Sequence, residues 1–317
     1  MPHVLVAGKL HPSGLALLEA AEGMTFTHIE EISEASYQGH LAGADAVVIR
    51  TQKMTAEAIA KAPRLQIVSR HGVGYDAVDV AALNARKIPL CIVGDVNSVS
   101  VAEHAMMLTL ACAKRLIRSD RAVRQGPWGW RNRLEQGEVA GKRLLIVGYG
   151  RIGRHLARMA GAFGMQVSAH DPYLAAQGWP DSTVRPVGLA EGLAAADFVS
   201  LHIPKGEGAL IGAAEIAGMK RGAVIVNTAR GGIVDEAALV AGLRSGQIGA
   251  AGLDVFDGEP PAADHPLMGF DEVILTPHIA GLTREAAERM AIASVQNVLD
   301  HFAGRLDPAL VVNRSAV

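Results

Sequence analysis

A glycine-rich turn constrains the fold of this chain more than any other feature of its sequence. Gly148, Gly150 and Gly153 directly follow the apolar run Arg143–Val147, and a helical pattern over Arg151–Phe163 begins within the turn. Between a strand and a helix, this spacing is typical of a dinucleotide-binding βαβ unit. The glycines permit a tight turn, close approach of the backbone to a pyrophosphate and close helix–strand packing. The helix N-terminus also offers unpaired N–H groups to phosphate.

Short runs rich in Val, Ile and Leu alternate with helical patterns along most of the chain, which indicates βαβ units and parallel sheets. The predicted strands of a first series are His3–Gly8, Asp45–Arg50, Leu65–Arg70 and Pro89–Val93, with helices at Ser13–Ala21, Thr55–Lys61 and Asp79–Ala85. The predicted strands of a second series are Lys142–Gly148, Met165–His170, Asp197–Leu201, Ala223–Asn227, Gly249–Asp254 and Glu272–Leu275. We therefore predict two α/β units, the second of which contains the glycine turn.

Two helical patterns lie outside this alternation. The stretch from Val99 to about Gln125 predicts one long helix, with Asn97 or Ser98 as its N-cap. The final pattern, about Arg284–Phe302, has no further strand after it, so we expect this helix to pack back on the N-terminal unit.

Size and composition exclude several classes of protein. A length of 317 residues suggests two domains, and a net charge of −2 provides no basic field for nucleic acid. Cys91 and Cys112 lie in apolar runs without a C-x-x-C partner, which is typical of buried thiols in a reducing compartment. The start of the chain lacks a signal-peptide pattern, and Glu103 and His104 interrupt the longest apolar helix candidate, Val101–Ala113. We expect a cytoplasmic protein with no membrane or nucleic-acid partner.

Asp171 is the predicted cofactor-selecting residue. It ends the strand that follows the glycine turn, 18 residues after Gly153, close to the spacing of about 20 residues expected for a ribose-binding carboxylate. A carboxylate there accepts hydrogen bonds from ribose hydroxyls and repels a 2′-phosphate, so NAD is favoured over NADP. Arg151 and Arg154 could instead reach a phosphate, but on the first helical turn we expect them to face the pyrophosphate or solvent. The alternative for Asp171 is an ordinary residue at the end of a strand.

Three ionisable side chains follow three successive predicted strands. Arg230 comes after Ala223–Asn227, Glu259 after the strand ending at Asp254, and His278 after the strand ending at Leu275. Ligands of α/β sheets bind beyond the carboxyl ends of the strands. Each residue alone has an ordinary explanation, such as a surface ion pair or a turn histidine. Their delivery to one edge of one sheet favours a catalytic role.

The residue types indicate the chemistry. Reducing a 2-keto acid places negative charge on the carbonyl oxygen, to which a protonated His278 can donate; the same residue acts as the base in oxidation. Glu259 can hydrogen-bond the other ring nitrogen and fix its tautomer. Arg230 can bind the substrate carboxylate in bidentate fashion. This set needs no metal, and no sequence motif with metal-ligand spacing is present.

The chain resembles the D-isomer-specific 2-hydroxyacid dehydrogenase family over essentially its whole length. The motifs that carry the resemblance are Ser69-Arg-His-Gly-Val-Gly-Tyr-Asp76, Asn97-Ser-Val-Ser-Val-Ala-Glu-His104, the glycine turn, Asn227-Thr-Ala-Arg-Gly-Gly232, Leu253-Asp-Val-Phe-Asp-Gly-Glu-Pro260 and Thr276-Pro-His-Ile-Ala-Gly281. The resemblance implies an NAD-dependent oxidoreductase with Arg230, Glu259 and His278 as its catalytic set. It also implies two Rossmann-like or flavodoxin-like domains with an interdomain cleft. The substrate domain would comprise residues 1–97 and 286–317, and the NAD domain residues 98–285.

The same resemblance assigns further binding residues. The backbone at Val73 and Gly74 would receive the substrate carboxylate, Asp254 would contact the nicotinamide carboxamide, and Thr228 and Ala229 would line the cofactor. The full predicted cofactor set is Gly148, Gly150, Arg151, Ile152, Gly153, Asp171, His202, Thr228, Ala229 and Asp254. One departure from the family pattern is visible: the run Leu201-His-Ile-Pro leads into Lys205-Gly-Glu-Gly instead of Leu-Thr-x-x-Thr, which puts cofactor contacts in that loop in doubt.

Arg50 bears on the identity of the substrate. It ends a strand of the first series and, if it faces the substrate, favours an acid with a second anionic group; the alternative is a surface residue. Hydroxypyruvate or glyoxylate reduction and 3-phosphoglycerate-type oxidation therefore both stay open. A different class of function is also open, namely an NAD(H)-sensing, corepressor-like binding protein with little turnover.

The segment Trp128-Gly-Trp-Arg131 carries two of the three tryptophans in the chain. Exposed aromatic side chains in a glycine-containing loop often mark an interface. In similar enzymes this region crosses to a partner subunit, so we predict a homodimer. The alternative is a packing patch within one chain.

Overall fold

The computed structural model describes residues 1–181 and 183–317. It divides the chain into two compact units. The first unit comprises residues 1–97 together with 282–317, and the second comprises residues 98–281. Each unit has its own parallel sheet and its own buried apolar core.

The described residues form the following elements. The strands are β1 His3–Ala7, β2 Thr25–Ile29, β3 Ala46–Ile49, β4 Ile67–Arg70, β5 Leu90–Cys91, β6 Arg143–Val147, β7 Gln166–His170, β8 Arg185–Pro186, β9 Phe198–Leu201, β10 Ala223–Asn227, β11 Ile248–Leu253 and β12 Val273–Leu275. The α-helices are α1 Pro12–Glu19, α2 Glu34–Gln38, α3 Ala56–Ala60, α4 Val80–Ala85, α5 Ser98–Ala113, α6 Leu116–Gln125, α7 Arg151–Ala162, α8 Pro172–Gln177, α9 Leu189–Ala195, α10 Ala213–Gly218, α11 Glu236–Ser245 and α12 Arg284–Phe302. Short 3₁₀ helices span Leu41–Gly43, Trp128–Arg133, Pro266–Gly269 and Pro308–Leu310. Of the helices described, none combines the length and apolarity needed to cross a bilayer.

The first unit has a five-stranded parallel sheet in the order β2-β1-β3-β4-β5. Its four predicted strands are present, but β2 and α2 were not predicted from the sequence. β2 is an edge strand in which Thr25 is exposed and Thr27 and His28 are only partly buried, so it lacks the continuous apolar run of a central strand. α12 packs against α1, β3 and β4, which confirms that the last helix returns to the N-terminal unit.

The second unit has a seven-stranded parallel sheet in the order β12-β11-β10-β9-β6-β7-β8. All six predicted strands are present, and the two-residue β8 was missed. The strand order reverses at the junction of β6 and β9, because the chain builds outward from β6 in one direction through β7 and β8 and in the other through β9 to β12. Such a switch point is where doubly wound sheets bind their ligands.

The prediction of one helix from Val99 to Gln125 is wrong. α5 ends at Ala113 and α6 begins at Leu116, because Arg115 adopts the left-handed conformation with φ of 49°. The turn directs the Arg115 guanidinium to the carbonyl oxygen of Gly249, 2.8 Å away. Neither Gly nor Pro stands between the two helices, so the local sequence carries no ordinary signal for the break.

The glycine turn is tight at its ends and open in its middle. A Cβ added to Gly148, whose φ is 93°, would lie 2.4 Å from the His202 carbonyl oxygen, and one added to Gly153 would lie 2.4 Å from the Gly148 carbonyl oxygen. A Cβ at Gly150 would meet nothing within 4 Å. The outer glycines therefore fix the approach of α7 to β6 and β9, while the middle one leaves space beside the helix N-terminus.

This geometry predicts opposite effects for two glycines of α7. Gly153→Ala should lower the free energy of unfolding of the second unit by about 1–3 kcal/mol, because the new methyl group overlaps a backbone carbonyl. Gly161→Ala, in open space on the same helix, should raise it by roughly 0.5–1 kcal/mol. Urea denaturation of both variants measures this. An unchanged midpoint for Gly153→Ala would contradict the packing described.

Candidate active site

The candidate site forms at the carboxyl ends of β10, β11 and β12. These strands are neighbours, and their last residues are paired in register: Asn227 with Leu253, and Leu253 with Leu275. The loops that carry Arg230, Glu259 and His278 therefore leave the sheet side by side at one level. The prediction that three successive strands lead to one edge of one sheet is confirmed.

His278 and Glu259 form a hydrogen-bonded pair. The distance from His278 Nδ1 to Glu259 Oε2 is 2.7 Å, and Glu259 Oε1 accepts the backbone N–H of Phe256 at 3.1 Å. Because an ionised carboxylate only accepts hydrogen bonds, Nδ1 must carry the hydrogen in this pair. Nε2 is then the ring nitrogen that can exchange a proton with a ligand. The side chains of His278 and Glu259 are 53% and 36% exposed, so a small molecule can reach the pair.

Asp254 holds the loop that carries His278. Its carboxylate accepts the backbone N–H groups of Ile279 and Ala280 at 2.9 and 2.8 Å, and its backbone oxygen accepts that of His278 at 2.9 Å. Asp254 is fully buried. The hydrogen bonds described for its side chain thus all come from that loop, and the contact with the nicotinamide carboxamide stays a prediction.

Arg230 lies in a turn fixed by Asn227. The Asn227 amide donates to the Arg230 carbonyl oxygen at 2.8 Å and accepts the Ala229 N–H at 3.0 Å. The next residue, Gly231, lies so close to the following loop that an added Cβ would be 1.7 Å from the Phe256 carbonyl oxygen. The loop bearing Arg230 is therefore in backbone contact with the loop that leads to Glu259.

Asp171 lies beside the glycine turn, at the end of β7. Its two carboxylate oxygens accept the backbone N–H groups of Tyr149 and Leu174, both at 3.0 Å. An ionised carboxylate has about four acceptor positions, so acceptor capacity remains after these two bonds. The arrangement fits a ribose whose hydroxyls donate to Asp171.

Two predicted cofactor residues carry buried polar atoms that have no hydrogen-bond partner among the described residues. They are Thr228 Oγ1 and His202 Nδ1. Burial lowers the pKa of His202 to about 4, so its ring is neutral at pH 7, with Nε2 held 2.9 Å from Ser200 Oγ. Buried polar atoms are normally paired, and unpaired ones just beyond the carboxyl ends of β9 and β10 fit a site that receives a polar ligand.

The start of α7 is also suited to an anion. The helix begins at Arg151 and Ile152 without a side-chain cap from the described residues, and Arg151 is exposed. Its first N–H groups are thus left for phosphate, next to the open space at Gly150. Together with Asp171, Thr228 and His202, these features fit a dinucleotide.

Two contacts that support the site were not predicted from the sequence. Tyr149, inside the glycine turn, is buried; its hydroxyl donates to Asp181 at 2.6 Å and its ring stacks on Trp179 with centroids 5.0 Å apart. His104 Nε2 lies 2.9 Å from Thr276 Oγ1. His104 stands out as a polar residue in a largely apolar stretch of α5, but nothing in the sequence links it to Thr276, and the variable positions of a glycine turn gave no signal for the first contact.

The predicted substrate residues of the first unit lie at the carboxyl ends of β3 and β4. Arg50 directly follows β3, and Val73 and Gly74 lie half-buried in the loop after β4. His71, in that loop, is buried, and burial together with the charges of Arg50 and Arg70 lowers its pKa to about 4. At neutral pH the His71 ring is therefore uncharged, and the positive charges beside it are those of Arg50 and Arg70.

Two glycines of the candidate site make a matched test. Gly231→Ala should reduce the turnover of the active protein at least about 100-fold, because separating the loops by even an ångström misplaces Arg230 relative to Glu259. Gly258→Ala, one residue before Glu259, adds a methyl group where nothing lies within 4 Å and should change turnover by less than about threefold. Steady-state kinetics of the two variants makes the comparison. Equal turnover rates in the two variants would show that the close approach of the loops at Gly231 is dispensable.

Comparison with known proteins gives one consistent family. Residues 106–280 match the model described as "D-isomer specific 2-hydroxyacid dehydrogenase, NAD binding domain". The chain is 40% identical over 302 residues to the (S)-sulfolactate dehydrogenase of Chromohalobacter salexigens, covering 94% of this chain and 97% of that protein. It is 38% identical over 314 residues to the D-3-phosphoglycerate dehydrogenase of Mycobacterium tuberculosis, covering 98% of this chain and 59% of that protein.

The fold is likewise shared with solved structures. The TT0316 protein of Thermus thermophilus superposes with a TM-score of 0.89 at 34% identity, over 98% of this chain and 99% of that one. Against the phosphoglycerate dehydrogenases of Archaeoglobus fulgidus and Mycobacterium tuberculosis, however, the present chain spans only 50% and 59% of the relative's length.

Proposed function

The chain belongs to the D-isomer-specific 2-hydroxyacid dehydrogenase family, and from this premise we propose that it interconverts a D-2-hydroxy acid and its 2-keto acid with a nicotinamide cofactor. The observation that carries the proposal is the 2.7 Å hydrogen bond between His278 and Glu259, on loops adjacent to that of Arg230. The family match to an NAD-binding domain supports the cofactor.

Each residue has a role that follows from its surroundings. His278 holds the proton at Nε2 and transfers it to the substrate oxygen during reduction, or removes it during oxidation. Glu259, bonded to Nδ1, fixes the tautomer and stabilises the imidazolium. Arg230 binds the substrate carboxylate through its planar guanidinium. The nicotinamide, when bound, donates or accepts the hydride.

We propose NAD rather than NADP as the physiological cofactor. Asp171 is the supporting residue, because its carboxylate lies against the glycine turn with unused acceptor capacity. There it can bind the ribose hydroxyls, and its negative charge opposes a 2′-phosphate.

The function is tested with a panel of 2-keto acids that includes glyoxylate, hydroxypyruvate, 3-phosphohydroxypyruvate and 3-sulfopyruvate, each with NADH and with NADPH. We expect steady oxidation of NADH, a preference for NADH over NADPH, and a loss of at least about 100-fold in kcat in His278→Ala, which lacks the proton donor. NADH binding without turnover of any acid would contradict the enzyme proposal and favour an NAD(H)-sensing binding protein.

We also propose that Arg50 binds a second anionic group on the substrate, while the backbone at Val73 and Gly74 binds the carboxylate. Two observations support this. Arg50 lies at the carboxyl end of β3, close enough to His71 that its charge, together with that of Arg70, lowers the pKa of His71. In addition, the sulfolactate and phosphoglycerate dehydrogenases among the relatives have names that specify a sulfonate and a phosphate.

Arg50→Ala should therefore raise the KM for 3-phosphohydroxypyruvate or 3-sulfopyruvate about 10- to 100-fold, since a charge-assisted hydrogen bond is lost. The KM for glyoxylate, which has no second anion, should stay within about threefold of the wild-type value. Steady-state kinetics on both types of acid decides the matter. An equal loss on both would exclude a second-anion site at Arg50.

We propose further that the chain forms a homodimer through α6 and the Trp128–Arg133 helix. Trp128 is 61% exposed, and Leu116, Ile117 and Val123 of α6 are also exposed apolar residues. Light scattering should give about twice the 33.2 kDa mass of one chain, and Val123→Glu should lower it by placing a charge in the apolar patch. A wild-type mass of one chain would refute the dimer.

Of the two tryptophans in this segment, only Trp128 belongs to the proposed interface. Trp130 is buried within the chain, with the Arg118 guanidinium 5.4 Å from the centre of its ring.

A further inference from the structure

We propose that His104 is a positioning residue for the catalytic histidine, acting through Thr276 and Asp254. This inference rests on the proposed role of His278 as the acid and base of the reaction. It concerns a side chain outside the predicted catalytic and binding sets, on the helix α5 that packs against β10, β11 and β12.

The loop that carries His278 needs external support. His278 has a φ of 53°, a left-handed conformation that is uncommon for a residue other than glycine. Strained backbone of this kind persists only where its surroundings over-determine it. The loop must therefore be held by strong contacts on both sides of His278.

Asp254 provides those contacts. On one side of His278, its carboxylate accepts the hydroxyl of Thr276 at 2.5 Å. On the other side, it accepts the N–H groups of Ile279 and Ala280. All three donors belong to the same loop, so the position of one buried carboxylate sets the course of the backbone through His278.

His104 completes this arrangement from the helix. Thr276 uses its only hydroxyl hydrogen on Asp254, so its oxygen can only accept from His104 Nε2, 2.9 Å away. The direction of the chain of bonds is thereby fixed: His104 Nε2–H to Thr276 Oγ1, and Thr276 Oγ1–H to Asp254 Oδ1. His104 Nε2 is also 3.6 Å from Asp254 Oδ1.

The protonation state of His104 agrees with this direction. Burial lowers its pKa more than the nearby Asp254 carboxylate raises it, so the ring is neutral at pH 7 with one N–H. The hydroxyl of Thr276 selects Nε2 as the site of that hydrogen. Removing the donor leaves a buried hydroxyl oxygen with an unfilled acceptor position and frees Thr276 to rotate away from Asp254, which loosens the loop at His278.

The inference is tested with a matched pair of variants, His104→Leu and His104→Gln. Glutamine retains an N–H donor near the position of Nε2, whereas leucine fills similar space without one. In single-turnover experiments at saturating NADH and keto acid, His104→Leu should slow hydride transfer about 10- to 100-fold, with the Kd for NADH within about twofold of wild type. His104→Gln should recover the rate to within about threefold of wild type.

A second pair guards against a folding defect at His104. Thr276→Val removes the hydroxyl at nearly constant shape, and Thr276→Ser retains it; the valine variant should match His104→Leu and the serine variant the wild type. Equal losses in the leucine and glutamine variants, or a loss confined to NADH affinity, would overturn the positioning role. So would a wild-type rate in both His104→Leu and Thr276→Val.

A readout independent of turnover separates this inference from the proposed function. The ring N–H of His278 that bonds Glu259 should give a downfield proton NMR resonance, assigned by its absence in His278→Ala. We expect this resonance to broaden or vanish in His104→Leu and to persist in His104→Gln. If the wild type turns over no keto acid, the proposed function fails, yet the resonance still decides whether His104 positions His278. A resonance unchanged in His104→Leu would refute the positioning role.

Discussion

The parallel pairing of β10, β11 and β12 is the constraint on which the candidate site depends. Because Asn227, Leu253 and Leu275 are paired in register at the ends of these strands, the three loops begin at one level of the sheet. A shift of one residue in either pairing would turn the side chains of that strand to the opposite face. The apolar cores on both faces oppose such a shift, so burial of Val, Ile and Leu indirectly sets the position of the candidate-site residues.

Glycines then bring the backbone segments together at distances that a side chain would forbid. Gly148 and Gly153 allow α7 to begin against β6 and β9, and Gly231 allows the Arg230 loop to touch the loop of Glu259. Hydrogen bonds fix what the glycines permit: Asn227 holds the turn at Arg230, and Asp254 holds the loop at His278. The geometry of the candidate site is thus set by contacts between neighbouring loops rather than by contacts of Arg230, Glu259 or His278 alone.

Much of this could be predicted from the sequence, for reasons that lie in particular residues. Central strands appear as continuous apolar runs, so of the twelve strands among the described residues ten were predicted, whereas the partly polar edge strand β2 and the two-residue β8 were missed. Arg115 breaks a helix without Gly or Pro, because a tertiary hydrogen bond to Gly249 stabilises its left-handed conformation. Likewise, the link from His104 to Thr276 joins residues far apart in sequence, and spacing alone carries no signal for it.

In the proposed reaction, His278 and Glu259 act as one unit in proton transfer. A double-mutant cycle on the single-turnover rate of hydride transfer, with His278→Gln, Glu259→Gln and the double variant, tests it most directly. If Glu259 works through His278, the double variant should be no more than about threefold slower than His278→Gln alone. Losses that multiply in the double variant would mean that the two residues act independently, and would contradict the account.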